Sequence, residues 1–381
     1  MFYVQRLFLI ATALLISVSA SAADLPIPSP PSLGAKTYIL VDYNSGQVLA
    51  AKNPDQQVEP ASITKLMTAY IIFDEIDQGN LQPDNMVTVS KKAWEMKGSQ
   101  MFLKVGDKVS IDKLLHGLIT ASGNDAAVAL AEYVAGTTST FSDYMNQYAK
   151  QLGMNNSHFM DVNGLPHPDH YMSARDIATL YAAIVREFPD LYSEYFKEKK
   201  FAYNGIQQYN RNTLLWSDKR VDGGKTGHTE SAGYNLVASA KDNGMRVVSV
   251  VTGTNSETAR KSQCEALISY GFRFYENGKL FDTGKEISQI RVWKGADSEL
   301  PVVASGPVYV AYPRGKRESL STNAELPGHL TAPVKQGERL GTLAIQYNDK
   351  TLKEEPLYAG QSIDKGGYVS QLFDEFLMLF Q

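Results

Sequence analysis

Three observations predict an α/β domain of the α+β kind, an antiparallel sheet with helices packed on it, joined to a smaller all-β domain. β-type runs stand at both ends of a helical middle, so strands from the two ends of one domain complete a single sheet. After about Tyr275 the texture changes to short β-type runs separated by Gly, Pro, Asp and Asn. The last residues carry an apolar stripe at helical spacing.

Residues 1–22 read as a secretory signal: Arg6, an apolar run over 7–18, and the small-residue sequence Ala20-Ser21-Ala22. The mature chain then begins at Ala23. The apolar run is about a dozen residues, short of the roughly 20 that span a bilayer, so an uncleaved anchor is the lesser reading. Residues 23–35 are rich in proline and serine and predict an extended arm.

Residues 36–275 form the expected first domain. Runs over 38–42 and 48–51 flank Asn44-Ser45-Gly46, a hairpin signal. Helical patterns follow over 62–77, 111–120, 125–135, 141–152 and 174–186, the last opened by the capping-box pair Ser173 and Asp176. Residues 233–240 and 246–251 predict a second strand pair around Asp242-Asn243-Gly244, and a long helix is expected from 257 to about 276. Cys264, the lone cysteine, falls in that helix and reads as a small core residue.

The all-β domain is expected over 276–363, with strands at 287–293, 308–313, 340–347 and 355–358. In residues 364–381, Val369, Leu372, Phe373, Phe376, Leu377 and Phe380 share one helical face opposite Ser370, Gln371, Asp374 and Glu375. This amphipathic helix is too short to cross a bilayer. It either docks on the β domain or lies in a membrane surface as an anchor.

Composition narrows the function classes. The chain has 381 residues, 43% of them hydrophobic, enough for two cores. A net charge of −4 gives no basic field, so nucleic acid is not an expected partner. No glycine-rich phosphate cradle is present. His167-Pro168-Asp169-His170 offers metal-capable groups, but proline breaks any helix that would align them, and a polar loop is the better reading. No metal and no cofactor is expected.

The chemistry is carried by Ser62-Ile63-Thr64-Lys65, Ser122-Gly123-Asn124 and Lys225-Thr226-Gly227, about 60 and then about 100 residues apart. Each is weak alone: Ser62 could be a helix cap, Lys65 a solvated lysine, and Ser-Gly-Asn an ordinary turn. In that order they point to covalent catalysis at Ser62. Residues three apart share a helix face, which puts the Lys65 amine one turn beyond the hydroxyl. Burial and the like charge of Lys225 would lower its pKa enough for it to act as the base.

S-x-x-K, S-x-N and K-T-G in this order resemble the active site of penicillin-binding proteins and serine β-lactamases. From Lys36 onward the chain is similar to the low-molecular-mass D-Ala-D-Ala carboxypeptidases of the penicillin-binding protein 5 type (serine peptidase family S11). The resemblance implies a transpeptidase/β-lactamase-like domain in which Ser62, Lys65 and Ser122 are catalytic and Ser122 relays a proton to the leaving amine. Asn124 would hold the substrate amide and Lys65. Lys225, Thr226, Gly227 and His228 would line the substrate on a strand edge, Gly227 letting the peptide approach closely. Thr226 and Arg260 would receive the terminal carboxylate, with Arg211 also near the cleft. The backbone N–H groups of Ser62 and His228 would form the oxyanion hole.

The implied reaction removes the terminal D-alanine of a peptidoglycan stem pentapeptide through an acyl-enzyme, with β-lactams as covalent inhibitors. The implied place is the periplasmic face of the cytoplasmic membrane, reached through the C-terminal helix. A serine β-lactamase is the first alternative, yet Gly123 stands where a class A enzyme carries aspartate, and no Glu-x-x-Leu-Asn loop lies between Asn124 and Lys225. The second is a non-catalytic wall-binding protein, which the intact serine and lysine set disfavours.

Overall fold

The computed structural model describes residues 27–378. The signal segment, the cleavage point at Ala23 and Phe380 of the C-terminal stripe lie outside the described residues.

Five antiparallel strands form the sheet of the first part, in the order Val48–Lys52, Thr37–Asp42, Met245–Thr254, Gly233–Asp242, Val221–Thr229. The first strand therefore pairs with a partner some 200 residues downstream, Tyr38 opposite Val251 and Leu40 opposite Ser249. Period-two alternation then sorts the buried side chains. Val248 and Val250 join the core under the helices Lys65–Asp77, Ile111–Ile119, Asn124–Ala135 and Ala174–Glu187. Val247 and Val251 face the opposite core with Leu267, Ile268 and Cys264 of the helix Glu257–Phe274. Cys264 is buried as expected; its thiol lies 3.3 Å from Ser249 Oγ, and burial raises it to about 12.

Several boundaries differ from expectation for local reasons. The run opening at Ser62 is a 3₁₀ turn, Ala61–Thr64, that leads into the α-helix Lys65–Asp77. Ala61 in that turn has φ +49°, a left-handed conformation unusual outside glycine. The last long helix stops at Phe274 rather than near 276, because Tyr275 turns extended and starts the strand Tyr275–Phe281 against Val308–Pro313. Of the expected capping box, Ser173 Oγ accepts from Asp176 N at 3.1 Å, but the Asp176 carboxylate instead accepts from Asn156 N and Ser157 Oγ, both at 2.8 Å. The short strand pairs Met86–Thr88 with Lys108–Ser110 and Lys200–Tyr203 with Ile206–Tyr209 are too brief to register as patterns.

The β part is a six-stranded sheet in the order Leu320–Glu325, Arg339–Tyr347, Lys350–Ala359, Glu299–Ala304, Glu286–Trp293, Leu330–Thr331. It surrounds its own core of Val292, Leu300, Val302, Leu343, Ile345 and Leu357. The two parts meet through Gln47, whose amide donates to Ala311 O and Leu352 O and accepts from Ala311 N. Asn277 Nδ2 adds a 2.7 Å bond to Asp42 Oδ1.

The terminal helix Tyr368–Met378 turns its polar side to the β part. Asp374 Oδ2 accepts from Lys294 N at 2.6 Å, and Glu375 stands 3.5 Å from Lys294 Nζ. Val369, Leu372, Phe373 and Phe376 are 52–81% exposed. The helix is thus seated on the β domain, one of the two expectations, but by its polar face, with the apolar face left outward.

Candidate active site

Four side chains from three distant segments converge. The 3₁₀ turn lays Ser62 one turn before Lys65, whose Nζ donates to Ser62 Oγ at 2.9 Å. Ser122, held at φ +59° before the helix Asn124–Ala135, accepts from Lys225 Nζ at 2.7 Å. Lys225 reaches inward from the edge strand Val221–Thr229. Both amines are buried, at 1% and 2% exposure, and burial is the main force lowering their pKa.

Lys65 is brought to about 7, with Asp161 and Asp125 opposing the shift and Arg211 assisting it. Arg211 thus adds its charge to that of the expected like neighbour, Lys225, with which Lys65 is coupled. The coupling is felt at Lys225, which is pushed well below the usual lysine range by burial and then by Lys65, Arg211 and Arg260. A neutral Lys65 at 2.9 Å can accept the serine proton, and Ser122 with Lys225 forms a second hydroxyl–amine pair.

Lys65 Nζ also donates to the backbone oxygen of Asn163 at 3.1 Å. This corrects the expectation that Asn124 holds Lys65: Asn124 Nδ2 donates instead to Lys97 O at 2.6 Å.

The loop of Asn163 is built by Asp161. Its Oδ1 accepts from the backbone N–H of Asn163 and Gly164, both at 2.7 Å. Its Oδ2 lies 3.5 Å from His170 Nδ1, and His170 Nε2 is 2.8 Å from Thr64 Oγ1. His170, expected in a polar loop, is instead 1% exposed and braces the nucleophile turn from below. Asp161, Asn163 and His170 were missed as site residues; the one signal was Asp161-Val162-Asn163-Gly164, turn chemistry beside a lysine that had to be buried.

Gly227 also serves a different end from the expected one. A Cβ there would stand 2.6 Å from Pro60 O and 3.1 Å from Ile63 N, so the missing side chain admits the nucleophile turn rather than the peptide. Asn235, on the neighbouring strand, fixes the same junction by donating to Glu59 O and Pro60 O. Ser62 and His228, the expected oxyanion donors, thus belong to two segments that meet at Gly227.

Thr226 is buried beside Lys225, and its carbonyl accepts from Lys225 Nζ at 3.1 Å. The exposed His228 ring stacks on Tyr234 with centroids 4.0 Å apart. Arg260, from the helix Glu257–Phe274, lies over the Tyr234 ring at 5.7 Å and 3.4 Å from Arg211 O. Glu257 is 3.6 Å from it. Arg211 is exposed, its charge acting on Lys65, Lys225 and Arg260. The arrangement gathers cations around two buried hydroxyl–amine pairs, suited to a carboxylate-bearing acyl donor.

A family profile described as D-alanyl-D-alanine carboxypeptidase matches residues 25–256, and one described as the penicillin-binding protein 5 C-terminal domain matches residues 275–365. D-alanyl-D-alanine carboxypeptidase DacA of Escherichia coli (strain K12) is 40% identical over 389 residues, covering 99% of this chain and 96% of its own. DacC of the same strain is 41% identical over 374 residues, with 96% and 93% covered. The solved penicillin-binding protein 5 from Haemophilus influenzae superposes with a TM-score of 0.86 at 40% identity, covering 89% of this chain and all of that one. The chain belongs to the D-alanyl-D-alanine carboxypeptidase family.

Proposed function

We propose that this chain removes the terminal D-alanine from peptidoglycan stem pentapeptides. Ser62 attacks the penultimate D-alanine carbonyl, its proton passing to neutral Lys65. The tetrahedral oxyanion rests on the backbone N–H groups of Ser62 and His228. Ser122, supported by Lys225, hands a proton to the leaving D-alanine. Water then cleaves the Ser62 ester and regenerates the hydroxyl. Asn124 faces the substrate amide, and Thr226 and Arg260, with Arg211, hold the terminal carboxylate. The observation that carries the reading is the 2.9 Å contact between a buried lysine of lowered pKa and Ser62 Oγ.

The same acylation makes β-lactams covalent inhibitors. Labelled penicillin attaches to Ser62, and Ser62→Ala abolishes both labelling and peptide hydrolysis; labelling of Ser62→Ala at a comparable rate overturns the assignment. Mass spectrometry of products from a pentapeptide ending in D-Ala-D-Ala gives loss of one alanine and no cross-linked product. Rapid turnover of penicillin with no peptide cleavage would favour the β-lactamase alternative.

The proposed division of the chain is a signal over 1–22, an arm over 23–35, the catalytic domain over 36–275, the β domain over 276–363 and an anchor helix over 364–381. Export places the catalytic domain at the periplasmic face of the cytoplasmic membrane. The exposed apolar face of the terminal helix supports in-plane insertion, and the ion-paired polar face supports a fixed seat on the β domain. With no lysine or arginine within the helix Tyr368–Met378, insertion relies on apolar area. The mature protein therefore pellets with membranes and resists moderate salt, whereas truncation after Asp364 leaves it soluble and active. Release by salt alone would remove the anchor.

A further inference from the structure

Outside the serine cleft, Asp112 and His116 stand one turn apart on the helix Ile111–Ile119 and meet Glu194 of the helix Pro189–Tyr195. One ligand-capable atom from each lies within 4.8 Å of the other two. His116 Nε2 is 3.4 Å from Asp112 Oδ1, whereas Nδ1 is turned away, 2.7 Å from Glu198 Oε2. That Glu198 oxygen also accepts from Thr120 Oγ1 at 2.9 Å. Tyr195 OH donates to Asp112 Oδ1 at 3.0 Å. The imidazole plane is fixed by stacking on Phe201, centroids 5.4 Å apart, and by the edge contact with Tyr195 at 4.7 Å.

We propose that Asp112, His116 and Glu194 bind a zinc ion, with Glu198 orienting the histidine from behind. A histidine that ligates metal through one nitrogen and donates the other N–H to a carboxylate has its tautomer set in advance, and this is the arrangement around His116. One imidazole and two carboxylates suit zinc better than calcium or magnesium, which favour all-oxygen shells. Ligands about 2.1 Å from zinc in tetrahedral array lie roughly 3.4 Å apart. The Asp112–His116 pair already has that spacing, and the exposed Glu194 side chain closes the rest by rotation. Three carboxylates also surround a single imidazole. Among the described residues, the only cation in an ion pair with them is His116 itself.

The site would bear on the cleft through the chain. The helix Ile111–Ile119 leads through Thr120 and Ala121 to Ser122, and Gly117 O accepts from Gly123 N at 2.9 Å. An ion joining this helix to Pro189–Tyr195 therefore braces the segment that presents Ser122.

The test is titration of the tag-free, chelator-treated mature protein with zinc chloride by calorimetry, with thermal unfolding followed in parallel. One zinc per chain binds, and at a 100-fold excess over Kd the unfolding constant falls about 100-fold. Magnesium and calcium at the same concentrations do not reproduce it. His116→Gln loses the binding while keeping the circular dichroism of the parent, and Glu198→Gln weakens it about 10–100-fold. If His116→Gln binds zinc as tightly as the parent, or the parent binds none, the cluster is an ion-paired brace and the proposal fails. Should His116→Gln misfold, the Glu198→Gln shift in affinity decides: an unchanged Kd overturns the assignment.

Discussion

Gly227 faces the carbonyl oxygen of Pro60 so closely that a Cβ would come to 2.6 Å. The obstacle is backbone on the far side, so the strand or the nucleophile turn has to move. Gly227→Ala is expected to lose about 1–3 kcal/mol of stability and to slow penicillin acylation at least tenfold, since the shift displaces Ser62. Denaturant unfolding and acylation kinetics measured on one preparation check both; an unchanged acylation rate would show that this contact does not set the nucleophile.

Lys65 titrates near 7, and the base has to be neutral. Acylation, as kcat/KM, should therefore rise with pH through about 7 and level off above it. The apparent value belongs to the coupled Lys65 and Lys225 pair. Stability has the same sign: between about pH 7 and the ordinary lysine value of 10.5 the unfolded chain keeps a proton that folded Lys65 has shed, so stability rises with pH across that window. The stability advantage of Lys65→Met over the parent should shrink on going from pH 6.5 to 10. A pH–rate profile flat from acid to alkali removes the lysine base.

Arg260 is buried beside Arg211 with one partly distant acidic neighbour, a poor reason for a structural arginine and a good one for a carboxylate receptor. Amidating the substrate C-terminus should cut kcat/KM about 100-fold, and Arg260→Ala should make acid and amide substrates equal. Equal turnover of acid and amide by the parent enzyme would contradict the docking role.

Asp222 of the strand Val221–Thr229 and Arg246 of the strand Met245–Thr254 form a two-pronged pair across the intervening strand Gly233–Asp242, Nη1 to Oδ1 at 2.9 Å and Nη2 to Oδ2 at 2.7 Å, with Tyr192 OH adding a 3.0 Å bond to Asp222. Arg246 is 6% exposed and lies over the Tyr43 and Tyr192 rings. Arg246→Met leaves Asp222 with only the Tyr192 hydroxyl and the largely exposed Lys241 amine, 3.9 Å away, and should cost about 1–3 kcal/mol in denaturant unfolding. Asp222→Asn with Arg246→Met should recover part of that loss. Additive losses would mean the two residues do not act as a pair.

The sheet, the helical middle and the β part were legible because burial imposes period two on strands and 3.6 on helices over long stretches. The helix boundary at Phe274 was not, since Tyr275-Glu276-Asn277 continues a helical pattern that only pairing with Val308–Pro313 overrides. Ser62, Lys65, Ser122 and Lys225 could be read because their spacing is local or ordered along the chain. The shell behind them could not. Asn163 serves Lys65 with a backbone carbonyl, and His170 serves Thr64 across 106 residues; neither leaves a trace in residue type or spacing. Gly227 was legible as a required glycine, but whether it yields space to a ligand or to the chain itself is a question of packing.

The turn Ala61–Thr64 is gripped from two sides: Gly227 abuts Pro60 and Ile63, and a Cβ on Gly164 would fall 1.8 Å from Ala61 O. No exit is left for this short, strained segment unless the sheet edge or the Asp161 loop first draws back. Its amides should then exchange with deuterium not as a surface loop would, but at rates governed by rarer sub-global opening, alongside the core of the sheet. A nucleophile positioned in this way spends little time misaligned, and a turn holding a left-handed alanine is among the last segments to come apart.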